Sequence, residues 1–180
     1  MNILFMGERR ISMNCLISLL KLTLDTDLNL SCIVTNQKFL KGFKSEFPDF
    51  KNIKFIENNK RNTNKILKAI SLLKIDVIIS VQHNWIMPKE VLQSVQGKAF
   101  NLHNAKLPDY KGYNSIFHAI VNGEKTYAST IHWMDEKVDS GDIIIEGVTR
   151  VDDEDSALSL YAKTVISATD AFNTFLQYLI

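Results

Sequence analysis

The chain has 180 residues, a length that fits one domain, and its 46% hydrophobic and 23% charged residues are ordinary for a globular protein. Its formal net charge of +1 gives no indication of binding to nucleic acid or to an anionic membrane surface. No segment approaches the roughly 18 consecutive apolar residues of a membrane span, and the N-terminal apolar run is too short for a signal peptide. We therefore expect a cytoplasmic protein with no membrane or nucleic-acid partner.

Short apolar runs alternate with segments of helical periodicity through the first two thirds of the chain. Runs typical of strands lie at 2–6, 28–36, 54–57, 75–81 and 99–104. Apolar residues at helical spacing predict helices at 11–22, 62–74, 86–95 and 114–121. Pro88 suits the first turn of the third helix, and Asn114 is the predicted cap of the fourth. The segment 37–52 mixes lysine with phenylalanine and contains a glycine and a proline, so we interpret it as mostly loop.

The last third of the chain has a different pattern. Two predicted strands, 127–135 and 142–148, are joined by the short loop EKVDSG, as in a hairpin. After the acidic stretch VDDEDS, a long helix carries an apolar stripe in steps of three and four, formed by Leu158, Tyr161, Val165, Ala168, Phe172, Phe175 and Leu179. This order of elements predicts an α/β fold, in which a mostly parallel sheet is flanked by helices and extended by a C-terminal antiparallel hairpin.

Ligands of open α/β sheets bind beyond the carboxyl ends of the strands. Three loops that leave such ends carry polar or basic residues, namely GERRIS, QHNWIMP and NLHNAKLPDYKG. The first has only Gly7, whereas a dinucleotide fingerprint requires three glycines, and a phosphate-binding P-loop is also absent from the sequence. Arg9 and Arg10 are suited to hold a phosphate through charge-assisted hydrogen bonds, or to serve as solvated residues at the start of a helix.

One of the four histidines has a polar neighbour at a useful spacing. Asn101 lies two residues before His103, which places both side chains on the same face of an extended strand. An amide donor beside an imidazole can polarise a carbonyl group and transfer a proton. His118 and His132 lie within a helix and a strand and are interpreted as structural, while His83 in a strand-end loop remains open.

A histidine in such a pair needs a carboxylate to orient the ring and to stabilise its charged form. Asp139, in the hairpin loop, is the best candidate, with Asp135 and Asp142 as alternatives. No serine or cysteine is placed as a nucleophile, which favours direct transfer between two bound substrates. No histidine or cysteine pair has the spacing of zinc ligands, so we expect no metal.

Several segments together resemble the formyltransferase family that uses 10-formyltetrahydrofolate. Asn101-x-His103 is followed by LPDYKG and later by VDSGDII, while FMG ends the first strand and DVIISVQHNWIMPKEVL covers the fourth. The resemblance extends from Met1 to about Ile180. It implies the Rossmann-like fold of that family and one catalytic domain over 1–180. It also implies a cis peptide between Leu107 and Pro108.

The resemblance implies roles for matching residues. Asn101 would donate a hydrogen bond to the formyl oxygen and stabilise the oxyanion of a tetrahedral intermediate. His103 would assist and remove a proton from the attacking amine, and Asp139 would hold His103 in its working form. The pocket for the pterin ring of the formyl donor would be formed by Gln82, Trp85, Ile86, Met87 and Asp135.

Within the family, the segment HNAKLPDYKGYN is most similar to the nucleotide-sugar N-formyltransferases, whose acceptors are dTDP- or UDP-linked amino-deoxy sugars. Residues expected to face the diphosphate are Arg9, Arg10 and Ser12, and those expected to border the sugar are Lys106, Tyr110, Tyr113 and Asn114. Glycinamide ribonucleotide and methionyl-tRNA are alternative acceptors. A folate-binding domain without turnover is the non-enzymatic alternative.

The sequence ends with the long helix at Ile180, so we expect the usual C-terminal region of the sugar formyltransferases to be absent, unless the sequence is a truncated part of a longer chain. In relatives that region completes the dimer or the nucleotide site. Its absence leaves the expected roles of Asn101, His103 and Asp139 unchanged. It leaves substrate affinity and the formation of a homodimer open.

Overall fold

The computed structural model describes residues 1–50 and 52–180. Strands are β1 (Asn2–Gly7), β2 (Asn29–Thr35), β3 (Lys54–Glu57), β4 (Val77–Val81), β5 (Ala99–His103), β6 (Thr126–Trp133) and β7 (Ile143–Arg150). Helices are α1 (Arg10–Asp25), α2 (Gln37–Glu46), α3 (Thr63–Leu73), α4 (Lys89–Ser94), α5 (Ser115–Val121) and α6 (Ala157–Leu179), and a single 3-10 turn covers Lys60–Asn62. All the predicted strands and helices therefore exist, with differences in their bounds; α4 begins after Pro88, which precedes the helix in an extended conformation instead of lying in its first turn.

The seven strands form one mixed sheet in the order β3-β2-β1-β4-β5-β6-β7. Strand β1 pairs in parallel with β2 and β4, and β2 pairs in parallel with β3. Strands β6 and β7 pair antiparallel. The predicted fold class, a mostly parallel sheet with helices and a C-terminal antiparallel hairpin, is confirmed.

The chain divides into two compact units, one formed by Met1–Phe100 with Ile180 and the other by Asn101–Leu179. In the first unit, the middle of β1 and the inward face of α1 are buried, as the continuous apolar run and the helical periodicity predict. In the second unit, a cluster of Ala105, Ala119, Tyr127, Val151 and Leu160 packs against Tyr110 and two isoleucines of α5. Every candidate catalytic residue belongs to this second unit.

Three details differ from the sequence-based expectations. Most of the predicted loop at 37–52 is helix α2, whose first turn is capped by the side chain of Asn36; residue 51 of that segment lies outside the described residues. Asn114 precedes α5 in a left-handed conformation (φ 60°) and makes no side-chain capping bond, so its predicted capping role is wrong. Leu158 is 78% exposed, so the buried stripe of α6 starts at Leu160 instead.

The Leu107–Pro108 peptide is cis, as the resemblance implied. Within the described residues, no helix is long and apolar enough to cross a membrane.

Candidate active site

The end of strand β5 presents Asn101 and His103 on one face. Both side chains are partly exposed, whereas Leu102 between them is buried. This alternation follows from the two-residue period of a strand, which directs neighbouring side chains to opposite faces. The two polar groups therefore emerge together where the strand ends.

Asp139 lies against both of these residues. Its Oδ2 atom is 3.6 Å from Nδ1 of His103, and its Oδ1 atom accepts a hydrogen bond from the Asn101 amide at 3.5 Å. The backbone N–H of Gly112 donates to Oδ2 at 3.2 Å. Of the three carboxylates considered from sequence, Asp139 is the one with contacts to the Asn101–His103 pair; Asp135 and Asp142 are exposed.

The geometry of the hairpin loop directs Asp139 back to this position. Asp139 itself has φ 50°, in the left-handed region that non-glycine residues rarely adopt. Two residues later, a Cβ atom on Gly141 would lie 2.0 Å from the carbonyl oxygen of Trp133. The glycine of the Asp-x-Gly segment is therefore required because the loop passes against the end of β6.

The electrostatic environment keeps Asp139 ionised. Burial alone would raise the pKa of this carboxyl group, but its interactions with His132 and His103 and the Gly112 N–H outweigh that effect. The pKa of Asp139 therefore lies below its ordinary value. A carboxylate that is charged at neutral pH can stabilise an imidazolium at His103 as a proton is taken up.

His132 is part of the same cluster, which the sequence analysis missed. Its Nδ1 atom is 2.7 Å from the Trp133 carbonyl and therefore carries a hydrogen, since a carbonyl oxygen can only accept. In the neutral ring, Nε2 then accepts from the Asn101 amide at 3.2 Å; Nε2 also lies 3.6 Å from Oδ1 of Asp139, and it is a protonated ring, with a hydrogen on Nε2, that lowers the pKa of Asp139. His132 thus holds the amide of Asn101 in one orientation, a role that its position within a strand did not reveal.

The tautomer of His103 is also set by a backbone group. Nε2 of His103 lies 3.0 Å from the Tyr110 carbonyl oxygen and therefore donates to it. Nδ1 is left facing the Asp139 carboxylate. In this arrangement the protonated ring donates from both nitrogens, which suits a group that takes up and returns a proton.

The residues expected around a diphosphate lie in the loop after β1. Arg9 is exposed and donates to the side chain of Asn84 at 3.3 Å, and Arg10 is exposed as well. Ser12 is fully buried; its hydroxyl donates to the Val81 carbonyl at 2.7 Å and accepts from two backbone N–H groups. Ser12 therefore stabilises the start of α1, and its expected contact with a diphosphate is wrong.

The residues expected around a pterin ring have varied environments. Gln82 has φ 47°, Trp85 is partly buried, and Met87 is buried, whereas Ile86 is 66% exposed. Asp135 is exposed and accepts hydrogen bonds from the Lys137 N–H and the Ser140 hydroxyl.

His83, in the same loop as Trp85, carries a polar atom without a partner. Its Nδ1 accepts from the Trp85 N–H at 3.4 Å, so Nε2 carries the hydrogen in the neutral ring. Nε2 is buried and has no hydrogen-bond partner among residues 1–50 and 52–180. Burial lowers the pKa of His83 to about 4, which keeps the ring neutral near pH 7.

The residues expected to border a sugar divide into two groups. Tyr113 is 72% exposed and Asn114 is exposed. The Nζ atom of Lys106 lies 3.4 Å from Oδ2 of Asp109. The Tyr110 hydroxyl donates to Glu124 at 2.8 Å and accepts from Asn122 at 3.1 Å. The Tyr110 side chain is thus held within the protein, and the atom it contributes near His103 is its backbone carbonyl.

Comparisons with a family model and with curated proteins indicate the same family. A family model described as formyl transferase matches residues 15–175. The chain is 31% identical over 172 residues to a methionyl-tRNA formyltransferase of Clostridioides difficile, an alignment that covers 91% of this chain and 54% of the relative. It is 28% identical over 170 residues to the bifunctional polymyxin resistance protein ArnA of Wigglesworthia glossinidia brevipalpis, which covers 94% of this chain and 26% of the relative.

Solved structures share the fold. A phosphoribosylglycinamide formyltransferase from Bacillus halodurans superposes with a TM-score of 0.85 at 17% identity, covering 99% of this chain and 95% of the other. A formyltetrahydrofolate deformylase from Pseudomonas syringae pv. tomato gives a TM-score of 0.83 at 20% identity, covering 97% and 59%. These similarities concern the fold alone.

The chain spans about a quarter of the length of the ArnA relative and about half of the length of the methionyl-tRNA formyltransferase. The match to the family model covers most of the chain and includes both strand β5 and the hairpin that carries Asp139. The chain belongs to the formyl transferase family.

Proposed function

We propose that this chain transfers a formyl group from 10-formyltetrahydrofolate to the amine of a dTDP- or UDP-linked amino-deoxy sugar. The amine nitrogen attacks the formyl carbon, and the carbonyl electrons move to oxygen in a tetrahedral intermediate. The intermediate then collapses as the bond to N10 of the folate breaks. The amine loses one proton and N10 gains one, so the products are a formamide and tetrahydrofolate.

The observation that supports this proposal most is the contact of Asn101, His103 and Asp139. The Asn101 amide has a long 3.5 Å hydrogen bond to Asp139, which is at the limit of such a bond and is readily exchanged for one to a developing oxyanion. In this proposal the proton of the amine passes to Nδ1 of His103, the ring nitrogen that makes no hydrogen bond to the Tyr110 carbonyl, and the ionised Asp139, 3.6 Å from Nδ1, stabilises the resulting imidazolium. A domain that only bound folate would need none of these three groups in contact.

The loop after β4 fits a flat, heteroaromatic formyl donor. Met87 and Trp85 contribute apolar surface, and the buried Nε2–H of His83 offers one fixed donor to an acceptor atom of a ligand. A buried donor without a partner costs about 1–3 kcal/mol, which a bound acceptor would recover. These residues would hold the donor, whose role is to supply the formyl group.

The proposed acceptor is supported by basic residues in the loop that follows β1. The exposed Arg9 and Arg10 suit a diphosphate, because guanidinium groups bind phosphate oxygens with two hydrogen bonds. A second candidate acceptor is methionyl-tRNA, favoured by the names of relatives that are 31–33% identical to this chain.

An acceptor panel tests the proposal. The purified chain is incubated with 10-formyltetrahydrofolate and separately with dTDP- and UDP-linked amino sugars, glycinamide ribonucleotide, methionyl-tRNA or no acceptor. Tetrahydrofolate formation and the mass of the formylated product are measured. We expect turnover with an amino-sugar nucleotide. Turnover with only methionyl-tRNA or glycinamide ribonucleotide would contradict the proposed acceptor and identify that compound as the acceptor instead. Release of formate in the absence of any acceptor would indicate that the chain hydrolyses the formyl donor.

A further inference from the structure

The backbone of one short loop holds two candidate catalytic side chains at once. In the segment between Tyr110 and Gly112, the Tyr110 carbonyl accepts from His103 Nε2 at 3.0 Å. The Gly112 N–H donates to Asp139 Oδ2 at 3.2 Å. The relative position of the imidazole and the carboxylate therefore depends on the conformation of three consecutive residues.

This loop has little regular structure to stabilise it. Gly112 has φ +81°, and Asn114 has φ 60° without a side-chain hydrogen bond to the helix that follows. Left-handed conformations at non-glycine residues cost energy and persist only when neighbouring contacts impose them. The Tyr110 end of the loop is anchored by its backbone N–H, which donates to the Lys106 carbonyl, and by its hydroxyl, so a further contact is needed only to join it to the Gly112 end.

Ser115, the first residue of α5, supplies that contact. Its side chain is buried, and its hydroxyl lies 3.2 Å from the Tyr110 carbonyl and 3.4 Å from the Gly112 carbonyl. The hydroxyl hydrogen can donate to either oxygen, so one side chain connects both ends of the loop. The Tyr110 carbonyl oxygen thus accepts from His103 and from Ser115 on its two lone pairs.

We propose that Ser115 is a positioning residue for formyl transfer, which fixes the 110–112 loop and through it the tautomer of His103 and the orientation of Asp139. In this role the hydroxyl acts on the backbone of the loop and takes no part in the chemistry itself. Its effect reaches the chemistry through the Tyr110 carbonyl and the Gly112 N–H. Small displacements of such groups are costly, since misplacement by about 1 Å can reduce a rate about a hundredfold.

The first test observes His103 directly and needs no substrate. Long-range proton–nitrogen NMR spectra of protein labelled with nitrogen-15 in histidine report which ring nitrogen carries hydrogen. We expect the wild-type ring in the Nε2–H form and a mixture of tautomers in Ser115→Ala, with Ser115→Thr close to wild type. Ser115→Cys keeps a side chain of similar size but donates a weaker hydrogen bond, so we expect its His103 tautomer populations to lie between those of wild type and Ser115→Ala. This variant replaces Ser115→Ala in the test if Ser115→Ala fails to fold. Unchanged His103 signals in both Ser115→Ala and Ser115→Cys would overturn the proposal.

The second test is kinetic and rests on the proposed function. We expect Ser115→Ala to lower kcat about tenfold, with the KM of the formyl donor within about twofold of wild type. The matched control is Ser156→Ala, which removes a serine hydroxyl that accepts from the Ser159 N–H at the beginning of α6. A role in stability alone would make the two variants equal in kcat, and that result would overturn the proposal. If no acceptor is turned over, the proposed function fails while the NMR test still decides the role of Ser115.

Discussion

The Asn101 amide donates to Nε2 of His132 at 3.2 Å, and His132 in turn donates from Nδ1 to the Trp133 carbonyl at 2.7 Å. The second bond fixes the tautomer of the ring and so creates the acceptor that Asn101 needs. While the His132 ring is neutral, one amide hydrogen of Asn101 is therefore occupied, and the other points towards Asp139. His132 consequently determines which way the amide of Asn101 faces.

Replacing His132 by leucine should lower kcat about tenfold to a hundredfold, because the Asn101 amide loses the acceptor that orients it towards the oxyanion. The measurement is the steady-state rate with the acceptor identified in the panel. His118→Leu is the control, since His118 is an exposed histidine of α5. Equal rates for the two variants would contradict the role of His132.

Replacing Asp139 by asparagine should reduce kcat by about a hundredfold or more, since a neutral amide cannot stabilise an imidazolium at His103. The pKa of Asp139 is lower in the folded protein than in the unfolded chain, where an aspartate has a pKa near 3.9. The ionised carboxylate therefore stabilises the fold at pH values above about 3.9. This contribution is lost as the pH falls through the folded pKa. Acid unfolding of Asp139→Asn should therefore depend less on pH below about 4. Asp142→Asn, which changes an exposed carboxylate of the same hairpin, should behave as wild type in both measurements.

His83 should make stability depend on pH between about 6.5 and 4. Its pKa is about 4 in the folded protein, so the unfolded chain binds a proton there that the folded chain does not, and stability falls as the pH falls through this window. The loss amounts to about 3 kcal/mol at most, because each pKa unit corresponds to about 1.4 kcal/mol. Urea unfolding of His83→Leu should lack this slope, whereas His118→Leu should retain it. A wild-type slope in His83→Leu would show that another group causes the effect.

Two glycine substitutions should have opposite effects. Gly141→Ala should destabilise the protein, because its Cβ would lie 2.0 Å from the Trp133 carbonyl oxygen and would push the loop carrying Asp139 away. In Gly42→Ala, in the middle of α2, the nearest atom to the new Cβ among the described residues is Cε of Met13 at 3.8 Å, so this change should stabilise the protein by about 0.5–1 kcal/mol. Thermal unfolding of both variants measures this difference; a Gly141→Ala variant as stable as wild type would contradict the described loop.

The parts of the site that follow from local patterns were predictable from sequence. Asn101 and His103 share a face because a strand repeats every two residues, and Asp139 lies in a loop that a hairpin pattern identifies. The continuous apolar run of β4 also sufficed to place a buried strand. In each case the relevant spacing lies within one element.

The parts that depend on contacts between elements were not predictable. His132 joins the cluster because its strand β6 lies next to β5, which carries Asn101. Ser12 has a hydroxyl suited to a ligand, but its burial depends on how α1 packs. Helix α2 was missed because Gly42 and Pro48 indicate a loop, whereas burial of Phe39 and Phe43 stabilises the helix.

The most direct test of the account is formyl transfer by His103→Asn, measured together with binding of a folate by the quenching of tryptophan fluorescence. We expect the rate to fall by at least about a hundredfold while the dissociation constant of the folate stays within about threefold of wild type. An unchanged rate in a variant that binds folate normally would contradict the central role of the Asn101–His103–Asp139 cluster.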